Sequence, residues 1–239
     1  MKIFIDAGHN YSGIGTGAVG NGLKEQDINF YIADKLKKLF VASGHKVKMS
    51  REKLTDNMGG TLTESLKKRA TMANEWGADL FVSIHCNAFN GKAKGTECLI
   101  YSSKSKSFET AKEIQKAIVK SLGTVDRGIK ERPDLAVLRH TKAPAILVET
   151  AFIDNPEDAL LLKNRQDDFA RAIYKGITGE SYNEPSCDTS DINEIAKALY
   201  DLGIVEDKDG LIKEMSKDPD GRLYWLARKS LKYIRSIKK

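Results

Sequence analysis

Cysteine is scarce in this chain. The 239 residues hold three, Cys86, Cys98 and Cys187. An odd number at wide spacing excludes a disulfide framework and a thiolate metal site, so reduced, structural thiols are expected. Long apolar runs are missing as well: none approaches the roughly 20 residues that span a bilayer, and no membrane segment is expected. Met1 leads into a strand-like run rather than a basic-then-apolar leader with a cleavage site, which predicts a protein made in the cytoplasm without a signal peptide. There is no internal repeat, no low-complexity tract and no motif that reads DNA or RNA. A net charge of +6 and a pI ≈ 9.0 favour polyanionic partners. The basic residues, however, are mostly interleaved with acidic ones along the helical stretches, so nucleic acid is not an expected partner.

What is present is organised around Lys2 to His9, KIFIDAGH. The run Ile3-Phe4-Ile5 breaks at Asp6-Ala7-Gly8 and delivers a histidine onto a glycine-rich loop, residues 10–22, which reads as a buried strand with His9 at its carboxyl end. Two later runs repeat the pattern. LFVSIH finishes in His85 and AILVET in Glu149 followed by Thr150. In an open parallel sheet the carboxyl ends of the strands share one edge, where ligands bind. Two histidines and a glutamate would meet there, the geometry of a metal centre beside a general base.

The intervening segments alternate in period. Residues 26–43 place Ile28, Ile32, Leu36, Leu39 and Phe40 on one helical face and stop at Gly44; residues 45–50 read as a strand near the sheet edge. A helix over 63–76, with Leu66, Ala70 and Ala73 inward, precedes the strand ending in His85. Residues 95–101 read as a strand, 106–122 as a helix, and 123–140 as a basic, irregular segment with one apolar piece, Leu135 to Leu138. Helices over 156–163 and 166–177 follow the third strand, the first announced by Asn155-Pro156. Such alternation predicts an α/β fold, a twisted, mostly parallel sheet with helices on both faces. Residues 179–188 read as a linker. Beyond it the period is helical only, with one stripe at Ile192, Ile195, Ala196 and Leu199 and another at Leu223, Leu226, Leu231 and Ile234. A segment this short on core is expected to form a small all-α bundle that docks on a partner or pairs with a second copy.

Hydrolytic zinc sites use three protein ligands of nitrogen and oxygen type and keep a fourth position open. His9 and His85 supply two, and Glu25 fits as the third because the loop after His9 can fold back above the sheet edge. The alternatives stay open: Glu25 as a helix-dipole residue on a solvated surface, His9 as a loop histidine satisfied by backbone, Glu149 as a buried ion pair with Arg69 or another base. A carboxylate ending an apolar run must be paired, metal-linked or catalytic, since burying it alone is costly. Held beside an activated water it can take a proton and pass it to a leaving amine. His45 reads as a surface residue and His140 as a loop residue in reach of substrate.

At these residues the chain resembles the zinc-dependent N-acetylmuramoyl-L-alanine amidases, the peptidoglycan amidases found as bacterial autolysins and phage endolysins. The resemblance rests on IDAGHN, the glutamate of GLKEQDIN, RATMANEWGADLFVSIHCNA, and RGIKERPDLAVLRHTKAPAILVETAFIDNPEDALLL. These blocks cover nearly all of residues 1–178 in the family order. The resemblance implies a catalytic domain over 1–178 with a twisted mixed sheet and one zinc ion held by His9, Glu25 and His85. It further implies Glu149 as the catalytic glutamate and peptidoglycan as substrate, cut between N-acetylmuramic acid and L-alanine. It places Asn87 and Leu138 along the groove. Cys86, where the family usually has a small neutral residue, is expected to point away from the metal.

Residues 189–239 lie outside the resemblance. Tyr224, Trp225 and Tyr233 are expected as stacking groups of a wall-binding module, and the terminus from Arg222 to Lys239, with seven Lys or Arg and no acid, as the contact for acidic wall polymers. The reading is a phage or prophage endolysin of a Gram-positive host, reaching the wall by a holin lesion or by lysis. A cellular autolysin, a zinc peptidase cutting the stem peptide and a non-catalytic wall-binding protein are the alternatives.

Overall fold

The computed structural model describes residues 1–182 and 189–216, with the backbone alone for 189–191. The strands are β1 (Lys2–Ala7), β2 (Val19–Gly20), β3 (Leu23–Lys24), β4 (Lys46–Met49), β5 (Leu80–Asn87), β6 (Thr96–Ile100), β7 (Asp126–Glu131) and β8 (Ala145–Phe152). The helices are α1 (Glu25–Ala42), α2 (Leu62–Trp76), α3 (Phe108–Leu122), α4 (Ala136–His140), α5 (Pro156–Asn164), α6 (Gln166–Thr178), α7 (Thr189–Asp201) and α8 (Lys208–Ser216). Six strands form one sheet in the order β4-β1-β5-β8-β6-β7, and β2 and β3 pair as a small hairpin. Every pairing in the large sheet is parallel except β6 with β8. The expected α/β class is therefore observed.

The near-continuous apolar runs of β1, β5 and β8 are what a strand covered on both faces requires. On one face Ile3, Ile5, Val82, Ile84, Ile146 and Val148 pack under α1, α3 and α6. On the other, Phe4, Phe81, Leu99 and Leu147 meet α2 and α4 through Ala73, Val137 and Leu138. The helix stops fall where glycine permits a left-handed residue: Gly77 caps α2 at φ 68° and Gly123 caps α3 at φ 69°. At the other end of α2, Thr61 and Glu64 form a capping box. The two helices α3 and α6 approach closely at Gly176, where an added Cβ would lie 2.4 Å from Ile114 Cα and 2.5 Å from Ile114 N. Backbone cannot yield as a side chain can. Gly176→Ala should therefore lower stability by about 2 kcal/mol in urea unfolding, despite the better helix propensity of alanine.

Four expectations need correction. The basic segment 123–140 is not irregular: it contains β7 and α4. The strand hides because it is the sheet edge, with Ile129 its only aliphatic side chain and charged residues at four of six positions. The glycine-rich loop after His9 contains the hairpin β2–β3, too short to leave a periodic trace. Both β5 and β8 run past their ionisable residues, to Asn87 and Phe152, because Cys86, Ala151 and Phe152 are buried. Glu149 thus sits within a strand rather than at its end.

The chain divides into two units, Met1–Tyr182 and Asn183–Lys239. In the second, Ile192, Ile195 and Leu199 of α7 pack on Met215 of α8. Tyr224, Trp225, Tyr233 and the second apolar stripe lie outside the described residues, as does Cys187. No helix among the described residues is long and apolar enough to cross a membrane.

Candidate metal centre and hydrolytic site

Three segments far apart in sequence converge above β1 and β5. The first is the turn after β1, where His9 takes the left-handed conformation at φ 66°. For a residue with a Cβ this costs roughly 1–2 kcal/mol, so something must hold it. The second is the first turn of α1, carrying Glu25, and the third is β5, carrying His85. His9 Nε2 lies 2.9 Å and His85 Nδ1 3.1 Å from the same oxygen, Glu25 Oε1. One donor atom from each of the three residues falls within 4.8 Å of the others. In a tetrahedral zinc centre with bonds of about 2.0–2.2 Å the ligand atoms stand about 3.3–3.5 Å apart, so this N, N, O set fits such an ion with little movement.

The surroundings prepare the donors. His9 Nδ1 donates to the carbonyl of Gly15 at 3.2 Å, which orients the ring so that Nε2 faces Glu25 Oε1. Burial lowers the His85 pKa against the pull of Glu25, which favours the neutral ring a metal requires. Burial would raise the Glu25 carboxyl, but hydrogen bonds from His85 and His9 outweigh it and hold the group far below its usual range. Glu25 also accepts from the backbone N–H groups of Ala18, at 2.9 Å, and Cys86, at 3.1 Å. At 4% exposure it is no solvated helix-dipole residue, although it does open α1.

Space around the donors is tight. A Cβ on Gly8 would lie 2.4 Å from His85 Cε1 and Nε2, and one on Gly17 would lie 2.6 Å from Glu25 Oε2. Gly8→Ala should therefore displace the His85 ring. Zinc affinity is expected to fall tenfold or more, measured by competition with a chromophoric chelator, while the far-UV spectrum stays that of the parent.

Glu149 is beside this cluster. It pairs in register with His85 across β5–β8 and with Glu97 across β8–β6, so the three side chains form a row on the α2 and α4 face. Its Oε2 is shielded and has no hydrogen-bond partner among the described residues. Burial, reinforced by the charges of Glu25 and Glu97, pushes its carboxyl well above the ordinary range. The ion pair with Arg69 does not form, since Arg69 is bound to Asp6 instead. Glu97 is held by Arg127 Nε at 2.8 Å and Lys130 Nζ from β7. A half-buried acid whose shielded Oε2 accepts no hydrogen bond, next to a three-donor cluster, has the position of a general base or acid.

A groove of about 230 Å³ opens beside His9 and His85 and is lined by Leu62, Leu66, Asp134, Leu135, Ala136 and Leu147, among others. Leu138, expected along it, instead packs at 3% exposure into the core under α4, because a single helical turn cannot turn all its apolar residues to the groove. Asn87 donates to Glu97 Oε1 at 3.0 Å, so its amide braces the carboxylate row. His140 ends α4 with an exposed side chain, its carbonyl bound by Asn74 Nδ2 at 2.8 Å. Cys86 faces the opposite side of the sheet from His85, against Asn29 and Thr150, as strand alternation requires.

A family model described as N-acetylmuramoyl-L-alanine amidase matches residues 3–179. The chain belongs to this amidase family. Among its relatives, the N-acetylmuramoyl-L-alanine amidase CwlM of Bacillus licheniformis is 37% identical over 177 residues, covering 74% of this chain and 65% of that one. The endolysin of Bacillus phage SPP1 is 39% identical over 182 residues, covering 73% and 62%. The chain thus spans less than two thirds of either relative. The solved structure of the CwlD amidase from Clostridioides difficile, in complex with the GerS lipoprotein, is similar with a TM-score of 0.69 at 33% identity, covering 74% of this chain and 96% of CwlD. The family model places the amidase domain in the first unit, where the His9–Glu25–His85 cluster lies.

Several residues packed around the cluster escaped the sequence reading. Gly8, Gly17, Glu97 and Arg51 leave no periodic signal. Arg69 does leave one: it falls between Leu66, Ala70 and Ala73 on the inward stripe of α2, a position where a charge needs a buried partner.

Proposed function

We propose that this amidase hydrolyses the bond between N-acetylmuramic acid and L-alanine in peptidoglycan, with one zinc ion held by His9, Glu25 and His85 and Glu149 as the proton-transfer group. The observation that carries the reading is the convergence of three donor atoms on one point with an unpartnered carboxylate one strand away. Zinc, when bound, would supply the Lewis acid that polarises the amide carbonyl and makes a water nucleophilic at neutral pH. Glu149 takes the proton from the attacking water and returns it to the departing amine of alanine, for which its raised pKa suits it. The groove beside His9, with its apolar wall at Leu62, Leu66 and Leu135, receives the substrate and excludes water from the reacting centre.

Within this activity we favour an endolysin acting on a Gram-positive wall after release by a holin or by lysis; likeness to a phage endolysin supports it, and likeness to a Bacillus amidase supports the autolysin reading. The basic end of the second unit would meet acidic wall polymers. End-group analysis of digested Gram-positive peptidoglycan tests the chemistry. New N-terminal alanine, absent with a chelator and unaccompanied by new reducing sugar, is the expected result; new amino groups on other residues would move the cut into the stem peptide, and no product from any wall would favour a binding protein.

A further inference from the structure

The two largest fully buried side chains among the described residues are arginines, Arg51 at 0% and Arg69 at 2% exposure. Both guanidinium groups lie against the turn that carries His9. Arg69 Nη1 donates to the Ala7 carbonyl at 2.8 Å and Nη2 to the His9 carbonyl at 2.6 Å, and the charge is paired with Asp6. Arg51 Nε donates to the Ala7 carbonyl at 3.2 Å and Nη2 to the Gly8 carbonyl at 3.3 Å. The same Nη2 also donates to the Gln26 carbonyl in the first turn of α1, next to Glu25, and Nη1 reaches Leu54. Three successive carbonyls are thus claimed as the chain leaves β1, and one guanidinium bridges the segments bearing two of the three donors.

This is a costly way to stabilise a fold. Two cations are buried side by side, and each hydrogen bond of Arg51 that is on view goes to a neutral carbonyl. Replacing such groups by well-packed apolar residues is often neutral for stability or better. What apolar residues cannot do is fix the direction of three carbonyls at once. An extended strand that simply continued would satisfy those groups in the ladder, but then His9 could not adopt its left-handed conformation.

We infer that Arg51 and Arg69 are positioning residues for the metal site: they lock the Ala7–His9 backbone in the turn that aims His9 at Glu25 and thereby set zinc affinity. This rests on the zinc reading of the cluster. Groups that orient a metal ligand typically change affinity 10–100-fold when lost. Arg69 also lines the groove, but its guanidinium is bound to the Asp6 carboxylate and to the Ala7 and His9 carbonyls.

The test is the zinc dissociation constant of the folded full chain, by chelator competition, with thermal unfolding of the metal-free protein recorded on the same samples. Parent and His85→Ala come first: no binding by the parent, or equal binding by both, overturns the zinc reading and this inference with it. Given a binding parent, Arg51→Lys and Arg69→Lys should each weaken zinc at least tenfold, because lysine keeps the charge but cannot span the carbonyls. Gly176→Ala, which lowers stability far from the site, should leave affinity unchanged. If either lysine variant does not fold, Arg69→Gln replaces it. Affinity within twofold of the parent in the arginine variants, or a loss in Gly176→Ala as large as theirs, would overturn the positioning role while leaving the zinc site in place.

Discussion

Glu149→Gln is expected to lower turnover on soluble muropeptides by about 10³-fold while zinc content per chain stays that of the parent. Glutamine keeps the shape of the side chain and cannot take up a proton, and general acid–base groups contribute roughly 10²–10⁴ in rate. Metal content is untouched because Glu149 is not among the three clustered donors. The same substitution has a second readout. The Glu149 carboxyl is raised in the folded metal-free protein, so the folded state holds a proton that the unfolded chain gives up. Stability contributed this way is complete below the unfolded pKa, about 4.3–4.5, and is lost as pH rises toward the folded value. Metal-free Glu149→Gln should therefore unfold at a higher temperature than the parent at pH 8, with the difference vanishing near pH 4. Loss of zinc from Glu149→Gln would make the residue a ligand and overturn its assignment.

His85→Ala gives the opposite pattern, with zinc and activity lost together. Two donors remain, and His9 Nε2 and Glu25 Oε1 alone do not make the three-ligand set of a hydrolytic centre. Zinc retained after dialysis should fall from one per chain to near none, and turnover to background. The fold should survive, since His85 sits at the groove and not in the core. Burial of the ring and its bond to Glu25 contribute little that alanine and a water would not replace. Stoichiometric zinc in dialysed His85→Ala would show that another residue completes the site.

The two variants divide the site between residues whose chemistry is legible in a linear sequence and residues whose role is not. His85 and Glu149 stand out because each interrupts an apolar run of strand character, where an ionisable group is expensive, and His9 because it follows directly on such a run. Glu25 was ambiguous, since the first turn of a helix welcomes an acid for reasons unrelated to metals; only its burial and its two histidine partners distinguish the cases. Asn87 and Leu138 were placed along the groove, yet the first braces Glu97 and the second packs the core.

By itself the sequence determined the alternation of strands and helices, the helix stop at Gly44, the depth of the three central strands and the candidate chemistry-bearing residues. These are local matters: period, glycine conformation and the cost of burying charge are decided within a few residues of chain. Only the tertiary structure decided that β6 runs antiparallel to β8, that β7 closes the sheet edge and that His9 turns left-handed. It also decided that Arg51 is interior and that Arg69 pairs with Asp6. Each of these depends on partners tens of residues away, whose hydrogen bonds and like or unlike charges exist only once the sheet has assembled.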